Sequence, residues 1–368
     1  MVYHRPWGAS GPGAGIPLAL FLLVVLAGAA SIPDGAVRGA TLAGRQPTRA
    51  AATGGMVAGA PRTGSALAAP RTGSQLVAPR TGSQLVAARG SALMAAQTAD
   101  AQDGVPARLT VMTFNIRTSG GNDGGNGWVH RRALVAETIE RVAPDVAGLQ
   151  EALDEQVEFL ADALPGYRWL GADRGLNGGT GLSEYTPIFY RRDVLIPIES
   201  GTFWLSDADG PTGTGWRRNV SRIVTWARFH HRESGRRFHV FNTHLTLRRG
   251  QRQIESARRI AKRVATLPAG SPVVVTGDFN AIAEISETWL AATGQGLRDA
   301  WLLAGERTGP PRTSSDFRPP ELANPGRIDW ILVGGAVGVR SVETIVDDDN
   351  GRYPSDHYPV VACLDLQP

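Results

Sequence analysis

The distribution of aromatic residues divides the chain into two parts that differ in what they can fold into. No Phe, Trp or Tyr occurs between Phe21 and Phe114, so residues 22–107 lack the large aromatic side chains that dominate protein cores. The remaining stretch of about 260 residues is the right size for one large α/β domain. We therefore expect a single folded domain over residues 108–368.

The start of the chain has the organisation of an export signal. His4 and Arg5 precede an apolar stretch, Ile16 to Ala30, that ends in small residues. A short basic region followed by about 15 apolar residues and an A-x-A-like site is typical of a secretory signal. We predict a signal peptide over residues 1–30. A retained membrane anchor is the alternative, although a span normally needs about 20 apolar residues. Both predict a protein that is secreted or tethered on the outer face of the cell membrane.

Residues 31–107 contain a short repeat. The sequence PRTGS recurs at Pro61, Pro70 and Pro79, and a degenerate copy starts at Arg89. This segment is rich in Ala, Gly, Pro and Arg, and it cannot bury enough apolar surface to offset the entropy of ordering. We predict a disordered linker. Its functional alternative is a basic contact with an anionic cell surface.

Charge and residue counts exclude several classes of function. Of the 38 basic and 34 acidic residues, eight and three lie in residues 1–107, which leaves 30 and 31 in residues 108–368. The basic pI thus belongs to the first part and does not indicate a nucleic-acid-coating domain. The one lysine, Lys262, follows Ala261, so there is no GxxxxGK phosphate loop. The one cysteine, Cys363, excludes intrachain disulfides and cysteine-rich zinc sites.

From Leu109 onward, short β runs alternate with amphipathic helical segments. Helices are predicted at about 134–143, 155–164 and 251–267. The predicted strands are 109–114, 146–149, 187–190, 223–229, 238–242, 273–276, 328–333, 342–346 and 358–364. Too many of these strands lack a following helix for a doubly wound parallel sheet. The pattern instead favours an α/β fold with two mixed sheets packed face to face and helices outside.

Polar groups stand where these strands begin or end. They are Asn115, Gln150-Glu151, His244, Asp278 with Asn280, Asp329, and Asp356-His357. One such group alone is usually part of a turn. Several polar groups along one edge of the sheets, however, suit the hydrolysis of a phosphate ester. The oxygens of Asn115, Glu151 and Asp356 are of the kind that Mg²⁺ prefers. An Asp–His pair such as Asp329 and His357 could provide a general base for water. Spacing alone does not assign these roles.

Six motifs carry a resemblance to a known family. They are TFNIR (113–117), LQE (149–151), NTHL (242–245), GDFN (277–280), RIDWILV (327–333) and SDHYPV (355–360). In this order they resemble the endonuclease/exonuclease/phosphatase superfamily, whose fold is that of pancreatic deoxyribonuclease. The resemblance spans about 108–365. It implies a four-layered α/β sandwich and cleavage of phosphate esters that depends on Mg²⁺, with Mn²⁺ as an alternative.

The resemblance also implies roles for the residues around the metal and the attacking water. Asn115 and Glu151 would be metal ligands, and Asp356 would complete or flank the metal site. His357 would be the general base, oriented by Asp329.

Further roles implied by the resemblance concern the phosphate. Asp278 and Asn280 would position the water and stabilise the pentacovalent phosphorus. His244 would stabilise the phosphate or assist the leaving group, and Glu184 in SEYTPIFYRR would be its carboxylate partner. Arg222 is similar to a family arginine near the phosphate.

The sequence is compatible with several classes of substrate. We predict a metal-dependent phosphodiesterase or phosphatase, monomeric, acting on nucleic acid, a phospholipid headgroup or a small phosphoester. An extracellular nuclease is one specific alternative. A non-catalytic surface module with the same fold is the alternative of a different class, but it would be free to lose residues such as Asp278, Asn280 or His357.

Overall fold

The computed structural model describes residues 105–175, 183–205 and 222–368. The predicted signal peptide and residues 31–104 of the predicted linker lie outside the described residues, whereas Ala107, the last residue of that linker, begins the first strand. Among the helices within these ranges, none has the length and apolar character that a membrane crossing requires.

The described residues form thirteen strands and five α-helices. The strands are β1 (Ala107–Asn115), β2 (Val146–Gln150), β3 (Tyr167–Leu170), β4 (Ile188–Arg191), β5 (Leu195–Trp204), β6 (Ile223–His231), β7 (Arg237–His244), β8 (Val273–Asp278), β9 (Arg298–Asp299), β10 (Glu306–Thr308), β11 (Asp329–Gly334), β12 (Val337–Thr344) and β13 (Val360–Leu366). The helices are α1 (Trp128–Val142), α2 (Asp154–Ala163), α3 (Gln251–Ala265), α4 (Glu287–Thr293) and α5 (Ala300–Leu303).

These strands assemble into two mixed sheets. The first has the order β10-β12-β13-β1-β2-β4-β3, and the second has the order β5-β6-β7-β8-β11-β9. Parallel pairs lie inside both sheets, β1 with β2 in the first and β7 with β8 in the second. Antiparallel neighbours flank them, β13 beside β1 and β11 beside β8. The predicted pair of mixed sheets is confirmed.

Three apolar clusters separate four layers. One cluster lies between the sheets and joins side chains such as Val111 of the first sheet to Val240 and Val274 of the second. A second packs α1 and α2 on the outer face of the first sheet, and a third packs α3 and α4 on the outer face of the second. The four-layered sandwich that the resemblance implied is therefore the fold of the described residues.

Strand alternation determines which side chains reach the space between the sheets. In β1, Leu109 and Val111 belong to the inter-sheet core, whereas Met112 and Phe114 pack toward the helices. Because successive side chains of a strand point to opposite faces, Asn115 continues the inward series. The same alternation turns Asp278 inward at the end of β8. The inter-sheet space is thus apolar at one end and polar where these strands stop.

A layer of buried polar side chains lies beneath that polar end. Gln150 donates to Asn242 Oδ1 at 2.7 Å and to Thr113 Oγ1 at 3.1 Å. Asn242 donates to the Leu149 carbonyl at 2.7 Å, and Thr276 donates to Asn242 Oδ1 at 3.1 Å. Buried polar groups that are paired in this way fix one arrangement, because leaving any of them unpaired is costly. The layer holds strands of the two sheets in a defined relation below the candidate site.

Gly148 provides the space for this polar layer. A Cβ atom at position 148 would lie 2.1 Å from Thr276 Oγ1 and 2.6 Å from Asn242 Oδ1. We expect Gly148→Ala to lower the free energy of unfolding by about 1–3 kcal/mol, the usual cost of overpacking a core. Urea denaturation checks this. Gly166→Ala is the matched control, because a Cβ there meets nothing within 4 Å. A Gly148 variant as stable as the control would contradict the packing argument.

The structure differs from the sequence prediction at several elements. Strand β5 was not predicted because Pro197 and Gly201 interrupt its pattern, but Pro is tolerated on an edge strand and β5 lies at the edge of its sheet. Strand β12 covers Val337–Thr344 rather than 342–346, with a bulge at Val339/Ser341. The position of Cys363 in the apolar final strand predicts that it packs as a small apolar side chain, but it is exposed.

Candidate active site

A carboxylate and amide cluster lies where β1, β2 and β8 end. The amide nitrogen of Asn115 donates to Asp278 Oδ2 at 2.9 Å and to Glu151 Oε1 at 3.1 Å. Asn115 and Asp278 are buried, and the Glu151 side chain is 16% exposed. The amide oxygen of Asn115, the atom that would bind a cation, accepts from the backbone N–H of Arg117 at 3.0 Å. Residues from distant parts of the chain thus converge on one point.

A buried Asp–His pair lies beside this cluster. His357 Nδ1 and Asp329 Oδ2 are 2.9 Å apart, and His357 Nε2 lies 3.9 Å from Asp278 Oδ2. Burial alone would lower the pKa of His357, but the carboxylates of Asp329 and Asp278 raise it well above its usual value. Burial and the neighbouring Asp329 raise the pKa of Asp278. The pairing of Asp329 with His357 is the geometry predicted from the sequence.

His244 and Asn280 form the next part of the site. Asn280 Nδ2 lies 2.9 Å from His244 Nε2 and also donates to the Leu245 carbonyl at 3.0 Å. His244 Nε2 lies 3.6 Å from Asp278 Oδ2. Burial and the nearby Arg222 lower the pKa of His244 to about 3, so its imidazole is neutral near pH 7. A neutral ring can accept from Asn280 through Nε2 and keep its proton on Nδ1.

An unusual backbone conformation sets the direction of two of these side chains. Glu151 has φ of 63° and Asn280 has φ of 51°, both in the left-handed region. Gln150 already points between the sheets, so simple alternation would turn Glu151 outward. The left-handed turn brings its carboxylate back to Asn115. For a non-glycine residue this conformation costs about 1 kcal/mol or more, and such strain is concentrated at functional sites.

Arg117 lies between two of the predicted metal ligands. Its guanidinium is 3.7 Å from Asp356 Oδ2 and 3.9 Å from Glu151 Oε2, and it forms a bidentate pair with Asp123 at 2.9 and 3.0 Å. Asp123 belongs to the glycine-rich loop 120–127. The ion pair ties this loop to the site.

Arg131 holds the loops that carry the site. Its buried guanidinium donates to the Ile116, Arg117 and Pro354 carbonyls, the last at 3.1 Å. The Ser355 hydroxyl adds a 2.6 Å bond to the Asn115 carbonyl. The backbone next to Asn115 is thereby fixed against the loop that contains Asp356.

Glu184 and Arg222 lie on the His244 side of the site. Glu184 Oε2 is 3.7 Å from His244 Nδ1, which is beyond hydrogen-bond distance, and its closer partner is Arg174. Arg222 donates to the His244 carbonyl at 3.4 Å. The structure therefore brings Glu184 and Arg222 to the site, with Glu184 paired to an arginine rather than hydrogen-bonded to the histidine.

The donor set suits a hard divalent cation. Glu151 Oε2 and Asp356 Oδ2 both face the Arg117 guanidinium, so they already share one cationic partner. Their side chains are 16% and 19% exposed, which leaves room for the waters that Mg²⁺ retains. Ligand atoms of Glu151, His244 and Asp278 also lie within 4.8 Å of one another. The residues present therefore fit a divalent metal, although they do not select between Mg²⁺ and Mn²⁺.

Comparison with known proteins identifies the family. The model of the endonuclease/exonuclease/phosphatase family matches residues 112–357, which contain every element of this site. The chain belongs to the endonuclease/exonuclease/phosphatase family. Members of this family are phosphoester hydrolases and typically use a divalent metal.

Individual relatives agree with this assignment. Nocturnin of Drosophila melanogaster is 30% identical over 169 residues, which are 42% of this chain and 24% of that protein. An endonuclease/exonuclease/phosphatase family protein of Bacteroides thetaiotaomicron is 30% identical, with a TM-score of 0.66 over 72% of this chain and 97% of its own. A mannosyl-6-phosphatase of the same organism is 31% identical, with a TM-score of 0.64 over 70% of this chain and 99% of its own.

Sequence reasoning missed three arginines, Arg117, Arg131 and Arg174. Arg117 stands inside TFNIR, so its position in a motif was a signal for it. Arg131 and Arg174 reach the site only through tertiary contacts, and nothing in their local sequence marks them. Gln150 was noted at a strand end, but its role in the buried polar layer depends on contacts across two sheets.

Proposed function

We propose that this protein is an exported, divalent-metal-dependent phosphoesterase, a phosphatase or phosphodiesterase in which His357 activates water for attack on phosphorus. The observation that carries the proposal is the buried Asp329–His357 pair at 2.9 Å, set against the Asn115–Asp278–Glu151 cluster. An imidazole oriented by a carboxylate beside oxygen donors is the arrangement that general-base hydrolysis requires.

Each residue has a distinct part in the proposed reaction. Asp329 fixes the orientation of the His357 ring, and Nε2 then faces the space beside Asp278 where the attacking water would lie. The neutral His244 offers its Nδ1–H, which has no partner among the described residues, to a phosphoryl oxygen or to the leaving group. Asn280 uses both amide protons on His244 Nε2 and the Leu245 carbonyl, so it orients the ring and leaves its amide oxygen to accept from the attacking water. Arg222 adds positive charge on the same side.

The residues proposed to hold the metal are Glu151, Asp356 and Asn115, whose amide oxygen would be the ligand while its amide nitrogen orients the carboxylate of Glu151. A divalent cation bound there would offset the charge of the phosphoryl group and lower the pKa of the nearby imidazole. Arg117 would stay at this position through its bidentate pair with Asp123.

Two further observations support parts of the proposal. The mannosyl-6-phosphatase among the structural neighbours favours a phosphatase. The apolar stretch 16–30, with basic residues before it and small residues at its end, supports export.

A direct assay tests the proposed function. The purified protein is incubated with p-nitrophenyl phosphate, bis-p-nitrophenyl phosphate or plasmid DNA, each with Mg²⁺, Mn²⁺ or EDTA. We expect hydrolysis of at least one substrate with metal and its loss in EDTA. Monoester cleavage alone would identify a phosphatase, and cleavage of DNA would favour the extracellular nuclease. Hydrolysis that persists in EDTA, or no hydrolysis together with no metal binding, would contradict the proposal.

A further inference from the structure

Three buried polar nitrogens on one side of the site have no hydrogen-bond partner among the described residues. They are Arg174 Nε, Arg222 Nε and His244 Nδ1. The side chains of Arg174 and His244 are only 3% and 5% exposed, so water does not readily satisfy them. A buried donor left unpaired is costly, and native structures retain such groups mostly where a ligand or an ordered water completes them.

The charges around these nitrogens favour an anion. Arg174 forms an ion pair with Glu184, whereas the described residues give Arg222 no carboxylate at ion-pair distance. Burial together with the neighbouring Arg222 lowers the pKa of Arg174 to about 10, and burial lowers that of Arg222. An arginine side chain is not deprotonated in proteins near neutral pH, so both groups carry a positive charge. Arg174 therefore has one carboxylate at ion-pair distance and Arg222 has none among the described residues, while the carboxylates of Glu151 and Asp278 act on Arg222 from farther away.

The position of the two arginines relates them to the reacting centre. Arg222 contacts the backbone of His244, and Glu184 links Arg174 to the same histidine at 3.7 Å. His244 in turn lies against Asn280 and Asp278. An anion at Arg174 and Arg222 would thus be held beside the groups assigned to the phosphoryl oxygens.

We infer that Arg174 and Arg222 form a site for a doubly charged terminal phosphate, which makes a phosphomonoester the preferred substrate class. This inference rests on the proposed function and deepens it. A monoester carries close to two negative charges above its second pKa of about 6, whereas the phosphoryl group of a diester carries one. A guanidinium group can donate two parallel hydrogen bonds to two phosphate oxygens. A second arginine therefore adds most to the binding free energy when the phosphate carries a second negative charge.

Calorimetric binding to the full chain in Mg²⁺ at about pH 8 tests the inference with inorganic phosphate and dimethyl phosphate as probes. We expect wild-type protein to bind phosphate at least about tenfold more tightly than dimethyl phosphate, the scale of one charged hydrogen bond. Arg174→Gln and Arg222→Gln should each remove most of this preference. Glu184→Gln should strengthen phosphate binding, because it removes the competing carboxylate. That increase is not expected from a merely structural ion pair.

Arg228→Gln is the matched control. Arg228 also has a buried Nε without a partner and pairs with a glutamate, Glu199, but its side chain is 30% exposed. It lies six residues after Arg222 along β6, roughly 20 Å away for an extended strand. Its replacement should leave both affinities unchanged. Thermal unfolding of each variant verifies that it is folded.

The outcomes separate this inference from the proposed function. Equal affinity of wild-type protein for the two probes, or an equal loss of both in the Arg174 and Arg222 variants, would overturn the inference. Should Arg174→Gln fail to fold, Glu184→Gln decides, and unchanged or weaker phosphate binding in that variant would also overturn it. A protein that prefers phosphate but hydrolyses none of the assay substrates would contradict the proposed function alone.

Discussion

Replacing His357 with alanine is expected to lower the turnover number by ~10²–10⁴, the usual contribution of a general acid or base. This corresponds to about 3–5 kcal/mol of transition-state stabilisation. The imidazole is the group that Asp329 orients at 2.9 Å, and no other histidine of the described residues is paired with a carboxylate at hydrogen-bond distance. The KM should change far less, because the proposed role of His357 is in the attack and not in binding.

The measurement is steady-state hydrolysis of the substrate found active in the direct assay, at saturating metal. His357 is 8% exposed, so its removal leaves the buried Asp329 without its partner and destabilises the protein. His357→Gln therefore accompanies the alanine variant, since an amide keeps a donor near Asp329. His231→Ala is the control. His231 is a buried histidine at the end of β6, and it contacts Ser234. An unchanged turnover number in a folded His357 variant would remove this residue from the mechanism.

The elements of the fold that could be predicted from the sequence are those whose pattern is visible within a few neighbouring residues. Strands such as β1 and β8 are short apolar runs that end at a polar residue, and this pattern is visible without any partner. Strand β5 was missed because its residues Pro197 and Gly201 are tolerated only at a sheet edge, and edge position is a tertiary property. Helices α4 and α5 have seven and four residues, too few for a clear helical period.

The candidate site divides in the same way. Asn115, Asp278 and His357 stand in motifs that end or precede strands, so they could be proposed from the chain alone. Arg131 could not, because its partners are backbone carbonyls of two loops more than 200 residues apart in sequence. Arg174 could not either, since its importance depends on being buried next to Glu184 and Arg222. Sequence motifs therefore indicate the residues proposed to take part in the reaction. The residues that fix the loops of the site or set its charge can be identified only from tertiary contacts.

The metal site provides the second prediction with a large effect. Glu151→Gln is expected to weaken Mg²⁺ binding by at least about 10–100-fold, since even residues that only support metal ligands contribute this much. Gln is nearly isosteric with Glu, and its one amide oxygen keeps one of the two hydrogen bonds that Asn115 Nδ2 donates to Oε1 and the Thr118 N–H donates to Oε2, at 3.1 Å each. The change therefore removes charge with little change of shape.

Isothermal titration with Mg²⁺, without substrate, measures this effect independently of turnover. The control is Glu155→Gln, an exposed glutamate at the start of α2. Asp356→Asn should also weaken binding if both carboxylates share the cation, as their common approach to Arg117 indicates. An Mg²⁺ titration of Glu151→Gln that matches wild-type protein would reject Glu151 as a ligand. A loss confined to Asp356→Asn would move the site toward Asp356 and away from the end of β2.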